Sequence, residues 1–247
     1  MKKTAAAIIF AFIMLFATSA SADNVSVNGC EPEFTPETGI PFVNSDNRTM
    51  VPVRLISENL GADVAWSETE QKVTVTTENH TVELFIGSTE MIVDGEKKQM
   101  DTAAVEKGGR TYLPVRYIAE AMGCHVMWFD RRETAVVMDS DYYGKYVTFR
   151  DMFTYEGILS DYTEVIIVTA ISQDRMTLDE IKDFWVGLGE ADKELFVALA
   201  TMEKHQKNPQ YPISAAYIFK DADGKQYYLA AASTFSYDVQ LFEPFEN

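Results

Sequence analysis

Apolar and polar positions along this chain follow two periods, and the periods succeed one another in the same order twice. Val25-Ser-Val27 alternates at period two and ends in Asn28-Gly29, a pair favoured in tight hairpin turns. Val53, Ile56 and Leu60 then fall at i, i+3 and i+7, the inner stripe of a short amphipathic helix. Val64 and Trp66 return to period two, a polar turn covers residues 67 to 71, and Val73-Thr-Val75 alternates again. Later the succession recurs. It runs through Met91-Ile-Val93 with Asp94-Gly95, then Val115, Ile118 and Met122, then Val126 and Trp128, and finally Ala135-Val-Val137. Between the two, Val82, Leu84 and Ile86 alternate as a further strand.

The recurrence is a sequence repeat. Arg48-Thr-Met-Val-Pro-Val-Arg54 and Arg110-Thr-Tyr-Leu-Pro-Val-Arg116 are offset by 62 positions, and the register holds without a gap through Gly61/Gly123 and Trp66/Trp128 to Val75/Val137. A period this long marks a duplicated supersecondary unit. Pro52 and Pro114 are expected at the first helical position, where a missing N–H costs nothing. Gly61 and Gly123 fall where a left-handed C-cap is needed, and Trp66 and Trp128 are expected to be buried beneath the helix. A helix so short is not stable alone, so each unit must pack it on a sheet. The reading is α+β: tandem strand-helix-hairpin units, with short helices on small antiparallel sheets, at about 25–76 and 91–138.

Beyond 139 no third copy occurs. Residues 146–153 and 164–171 read as strands, and Thr177-Leu-Asp-Glu180 reads as a capping box opening a helix that carries Ile181, Phe184, Trp185 and Leu188 and ends at Gly189. A second helix at about 191–204 follows. Strands at 215–219 and 226–232 flank Asp221-Ala-Asp-Gly224, and a last strand lies at 238–242. This divides the chain into a repeat domain at 23–139 and a second α+β domain at 140–247.

The first 22 residues stand apart. Lys2 and Lys3, an apolar run from Ala5 to Ala17 and Ala20-Ser21-Ala22 form a secretory signal peptide, too short in its apolar part to span a bilayer. The chain's formal charge of −17 becomes −19 without those two lysines. A charge of that sign and size opposes nucleic acid and anionic lipid as partners, and no membrane span follows the leader. The two cysteines, Cys30 and Cys124, sit at non-equivalent positions of the two copies. In an oxidising compartment they permit one disulfide that would cross-link the units.

No catalytic or metal centre follows from the residues, and no cofactor is implied. His80, His125 and His205 lack chelating spacing, and Cys124-His125 would point to opposite faces of a strand. Asp221-Ala-Asp-Gly224 echoes a calcium loop without its downstream Glu, because position 232 is Ala. Nucleophile elbows and phosphate loops are absent. Arg54 and Arg116 precede Glu58 and Glu120 by one turn and read as structural, in a salt bridge or a cap to nearby carbonyls, with ligand capture at a repeated site as the alternative. Tyr142, Tyr143, Tyr146, Tyr155 and Tyr162 read as packing at a domain junction, or as sugar contacts.

The Arg-Thr-x-x-Pro-Val-Arg stretch, followed by a helix, a Gly and a Val-x-Trp strand, resembles the copper amine oxidase N-terminal-like domain, also called the stalk domain, over about 25–138. Tyr112-Leu113 and Cys124-His125 are the second copy's departures from the pattern. The resemblance implies an accessory, non-catalytic module of secreted and cell-surface proteins of Gram-positive bacteria, and it implies no copper. The expectation is a secreted or cell-surface protein whose repeat is a spacer or interaction module, with a cell-wall polymer or another envelope protein as partner. A small cell-wall-modifying hydrolase with its site in 140–247 and a carbohydrate-binding or adhesion protein are the alternatives. An enzyme would show polar residues converging in a C-terminal pocket, a binder an exposed aromatic groove, and a spacer neither.

Overall fold

The computed structural model describes residues 24–129, 133–158, 165–170, 178–207, 214–220, 226–233 and 239–241. Residues 1–23, Thr177, Tyr162, Asp221-Ala-Asp-Gly224 and the side chains of Tyr155 and His205 lie outside what is described. The fold is α+β, with helices on several small sheets whose strands pair mostly antiparallel.

The first 138 residues contain β1 (Asn24–Val27), β2 (Phe42–Val43), β3 (Thr49–Pro52), α1 (Val53–Asn59), β4 (Asp63–Ser67), β5 (Lys72–Thr76), β6 (Thr81–Phe85) and β7 (Glu90–Val93). These are followed by β8 (Glu96–Gln99), β9 (Val105–Lys107), β10 (Arg110–Pro114), α2 (Val115–Ala121), β11 (His125–Phe129) and β12 (Thr134–Met138). The two copies meet where β3 pairs antiparallel with β10, in the register Met50 to Pro114, Val51 to Leu113 and Pro52 to Tyr112. Repeat-equivalent residues are 62 apart, so exchanging the copies reproduces this register. A pseudo-twofold axis therefore passes between Val51 and Leu113, both fully buried.

The units are not self-contained. β1, the lead strand of copy one, joins the sheet β1-β12-β11 of copy two, pairing parallel with β12. β7, the lead strand of copy two, joins the sheet β4-β5-β6-β7-β8 of copy one. Each copy thus lends its first strand to the other, and the apolar faces of both sheets and both helices close on one core that includes Val51, Ile56, Val75, Leu113, Ile118 and Val137.

The helices start one residue later than expected. Pro52 and Pro114 are the N-cap residues, with extended backbone (ψ 115° and 130°), and they also end the strands that pair across the seam. Proline suits both tasks, since a strand end and a helix cap each leave one N–H unused. Each helix closes in a Schellman arrangement: Gly61 N–H donates to Glu58 O (3.0 Å) and Ala62 N–H to Ser57 O (2.9 Å), with Gly123 and Cys124 repeating this on Glu120 and Ala119 (3.1 and 3.0 Å). Both glycines have positive φ, 76° and 74°, but their surroundings differ. A Cβ on Gly61 would meet nothing within 4 Å, whereas one on Gly123 would sit 3.1 Å from His80 Nε2. We expect Gly61→Ala to cost about 1 kcal/mol from backbone strain alone and Gly123→Ala to cost more, measured by urea unfolding; equal costs would show that His80 moves aside freely.

The C-terminal half begins with a correction. Residues 140–151 form α3 (Ser140–Asp151), not the start of a strand at 146. Asp139 caps it, accepting from Tyr142 N–H at 2.8 Å. Tyr142, Tyr146 and Phe149 at i, i+4 and i+7 form its buried face. Their aromatic, strand-prone composition concealed helical spacing. The strand begins only at β13 (Phe153–Ile158). After it come β14 (Val165–Ala170), α4 (Leu178–Gly187), α5 (Glu190–Lys207), β15 (Ser214–Lys220), β16 (Gln226–Ser233) and β17 (Val239–Leu241). The five strands lie in chain order, and the one parallel pair, β14 with β15, brackets α4 and α5.

Two cores meet on β12. β12 is buried along its whole length. Its Ala135 and Val137 face the repeat core, while Val136 and Met138 face a second core with Phe129, Phe149, Trp185 and Phe196. The β1 turn is tied to the start of α3: Asn28 Nδ2 donates to Asp139 Oδ2 (2.6 Å) and Asp139 N–H to Asn28 Oδ1 (2.9 Å). Tyr142 donates to Asp192, and Tyr146 donates to Glu203 at 2.7 Å, joining α3 to α5. Burial, reinforced by these carboxylates, raises both phenols far above their ordinary range.

Candidate functional site

Trp66 and Trp128 are not buried beneath the helices. They are 43% and 37% exposed, among the few large apolar side chains on the surface. The face is the expected one: Trp66 lies opposite buried Val73, and Val64 opposite buried Val75. The position is different. β4 runs back along α1 and brings Trp66 level with the first turn of the helix. There the opposite wall comes from the other copy, at the β9–β10 hairpin, and it stands away from the indole. The gap is a cleft of about 330 Å³ lined by Trp66, Arg54 and Gln71 of copy one and by Glu106, Gly109 and Arg110 of copy two.

The pseudo-twofold axis makes a second cleft, of about 570 Å³, from the equivalent residues. Trp128, Arg116 and Glu133 come from copy two, and Asn47, Arg48 and Thr49 from copy one. The equivalents are Trp66/Trp128, Arg54/Arg116, Gln71/Glu133, Gly109/Asn47 and Arg110/Arg48, so each cleft takes the closing arginine of one copy and the opening arginine of the other. The repeated stretch therefore builds both clefts. Pro and Gly set the helix, and the two arginines and the Trp reach the space between copies.

The arginines are held in different ways. Arg54 Nη1 donates to Val64 O (2.9 Å) and to Glu58 Oε1 (3.3 Å). Arg116 faces Glu120 at 3.8 Å, with both side chains exposed. Such exposed i, i+4 pairs contribute at most about 0.5 kcal/mol, so ion pairing does not account for the repeat. Arg110 donates through Nε to Glu37 O (2.9 Å), through Nη1 to Gly108 O (2.8 Å) and through Nη2 to Glu37 O. Arg48 donates through Nε and Nη2 to Asp101 Oδ2 (2.8 and 2.6 Å). That bond raises the guanidinium's pKa and holds Asp101 below the usual carboxylate range. Asp101 N–H in turn donates to Tyr117 Oη at 2.9 Å, on the rim of the second cleft.

The remaining candidates lie elsewhere. Cys30 and Cys124 are free thiols in this structure, so the disulfide that the sequence permits does not join them. β1 and β12 lie between them, because Cys30 bridges Val27 on the side of β1 away from β12 while Cys124 leads into β11. At about 4.8 Å per strand, this separation exceeds the Cα distance of roughly 7 Å beyond which a disulfide cannot close. Burial, with Asp139 adding to it, pushes the Cys124 thiol up to about 11, while Cys30 is exposed. At pH 8 iodoacetamide should therefore label Cys30 readily and Cys124 only slowly, as read by peptide mass spectrometry; equal rates would contradict the burial of Cys124. His80 Nδ1 bonds Asp94 Oδ2 at 2.8 Å, and His125 stacks on Tyr143 with ring centroids 3.6 Å apart. Among the described residues, no group of three or more His, Cys, Asp or Glu is placed to hold a metal, and no helix is long and apolar enough to cross a membrane.

Residues 26–137 match the family described as copper amine oxidase N-terminal domain, a non-catalytic, stalk-like domain. The match covers the repeat region and both clefts. No curated protein matches the chain.

Proposed function

We propose that this is a secreted, non-catalytic protein of the cell envelope whose repeat region is an interaction module, with the paired clefts as its contact points for a wall polymer. The observation that carries this reading is the pair of exposed tryptophans, each flanked by two arginines, at sites related by the pseudo-twofold axis. A spacer has no use for an indole in a cleft, and an exposed aromatic groove is the mark of a binder. The signal peptide supports the extracellular address, and the stalk-like family supports a non-catalytic role for the repeat region. Two sites on one rigid module suit a repeating polymer, because the second contact forms at a high effective concentration once the first is made.

The test is sedimentation of the mature protein with purified cell walls. The wild type should pellet with the walls. The Trp66→Ala/Trp128→Ala double variant should bind at least tenfold more weakly, since an anchoring Trp is worth about 2 kcal/mol or more. Both side chains are substantially exposed, so thermal unfolding should change little, which separates lost binding from lost folding. A wild type that stays in the supernatant, or a double variant that binds equally well, overturns the reading.

A further inference from the structure

We propose that the Trp66 cleft takes a saccharide ring bearing a carboxylate, with the indole under the ring and the guanidinium groups of Arg110 and Arg54 on the acid; this rests on reading the clefts as ligand sites. Of the five N–H donors on Arg110, three are engaged, all with the neutral carbonyls of Glu37 and Gly108. Among the described residues Arg110 makes no direct ion pair with a carboxylate, so it is fixed in place by carbonyls with donors left for a ligand. Arg54 is anchored through Nη1 alone, on Val64 O and a weakly paired Glu58. Two positioned guanidinium groups beside one indole match a ligand with an apolar face and an acid group. Guanidinium forks recognise carboxylates with two parallel bonds, and the flat indole offers area to the C–H face of a sugar.

The neighbouring groups fit hydroxyls. Glu68 and Gln71 line the same cleft and can accept or donate at a ring's edge. Glu106 also lines it, with one oxygen already accepting from Gly109 N–H at 2.7 Å. An extended peptide fits less well. β4 is the outer strand of its sheet, but the Val64 carbonyl, in the middle of the edge a peptide would pair with, is taken by Arg54. Each cleft is lined by two arginines and two carboxylates, and they differ in arrangement: in the second, Arg48 is paired with Asp101 and Glu133 stands in place of Gln71, whereas Arg110 of the first is held by carbonyls. The two sites are built from equivalent residues, and the Trp66 cleft is the one whose opening arginine is held by carbonyls and left to meet an acid.

The experiment titrates the full mature chain with an oligogalacturonate, with its methyl ester and with glucose 1-phosphate, following the indole N–H resonances of Trp66 and Trp128 and the heat of binding. The acid should bind with the larger shift at Trp66, and the ester should bind roughly tenfold more weakly or worse. Trp66→Ala should abolish the binding. Arg110→Gln should remove the preference for acid over ester. Because Arg110 also tethers its hairpin to Glu37, Arg54→Gln is the second probe and should reduce that preference several-fold without touching the tether. Equal binding of acid and ester, a preference for glucose 1-phosphate, or a response at Trp128 alone overturns the proposal. Wall binding that depends on the tryptophans with no uronate binding would sink this inference and leave the broader reading standing; uronate binding without wall binding would do the reverse.

Discussion

A fragment beginning at Ser140 will not fold. It will give weak near-ultraviolet circular dichroism, bind a hydrophobic dye and show no cooperative melting, while the chain from residue 24 melts cooperatively. The reason lies in β11 and β12, whose outward side chains Phe129, Val136 and Met138 are buried in the core of the C-terminal half. Removing three such side chains forfeits about 1.5–3 kcal/mol each, a large share of the net stability of about 5–15 kcal/mol that a domain has. It also strips Asp139, the cap of α3, and its partner Asn28. A milder version uses the full chain. Val136→Thr and Met138→Thr install the residues that copy one carries at these positions, Thr74 and Thr76. Each should destabilise by about 1–3 kcal/mol through a buried hydroxyl and lost apolar contact. A fragment at 140–247 with a sharp melting transition would show that the two halves fold independently.

Leu113→Ala should cost about 2–5 kcal/mol in urea unfolding, the range for truncating a fully buried leucine, and it should disturb both clefts at once. Leu113 is fully buried and pairs with Val51 on the pseudo-twofold axis, and each cleft has one wall from either side of that axis. Loosening the β3–β10 seam therefore moves the Trp66 and Trp128 indole resonances together. An equally costly substitution in the C-terminal core, such as Leu199→Ala, should leave both in place. A Leu113→Ala protein in which one cleft is unchanged would mean that the walls are held by something other than the seam.

Much of the repeat was legible because its residues carry local instructions. Pro, Gly and the Asn-Gly and Asp-Gly pairs act on the nearest few bonds, and the period-two strands and three-to-four spacing of the helices follow from burial on one face. The placement of Trp66 and Trp128 was not legible in this way. The alternating pattern gives the correct face of the strand, but whether that face is covered depends on the other copy. The exchange of β1 and β7 is likewise invisible to periodicity, since a strand reads the same whichever sheet receives it. The α3 helix is hidden because aromatic residues favour strands; the cap at Asp139 and the i, i+4, i+7 spacing of Tyr142, Tyr146 and Phe149 are the better signal. The shared strand did leave a trace, in the departures between copies rather than in the motif. Ala65, Ser67, Thr74 and Thr76 of copy one become Met127, Phe129, Val136 and Met138 of copy two. A polar outer face has become an apolar one, which requires a covering partner, and the chain that follows supplies it.

The parallel pairing of β1 with β12 has a mechanical consequence. Asn24 lies opposite Thr134 and Val27 opposite Val137, so the chain enters at one end of this strand pair and leaves at the other. Tension applied between Asn24 and Met138 then pulls the two strands along their length in opposite senses. The load falls on all the hydrogen bonds of the pair together, in shear, instead of opening them one by one as in a hairpin pulled from its ends. The first and last strands of the duplicated region thus form a clasp that resists shear.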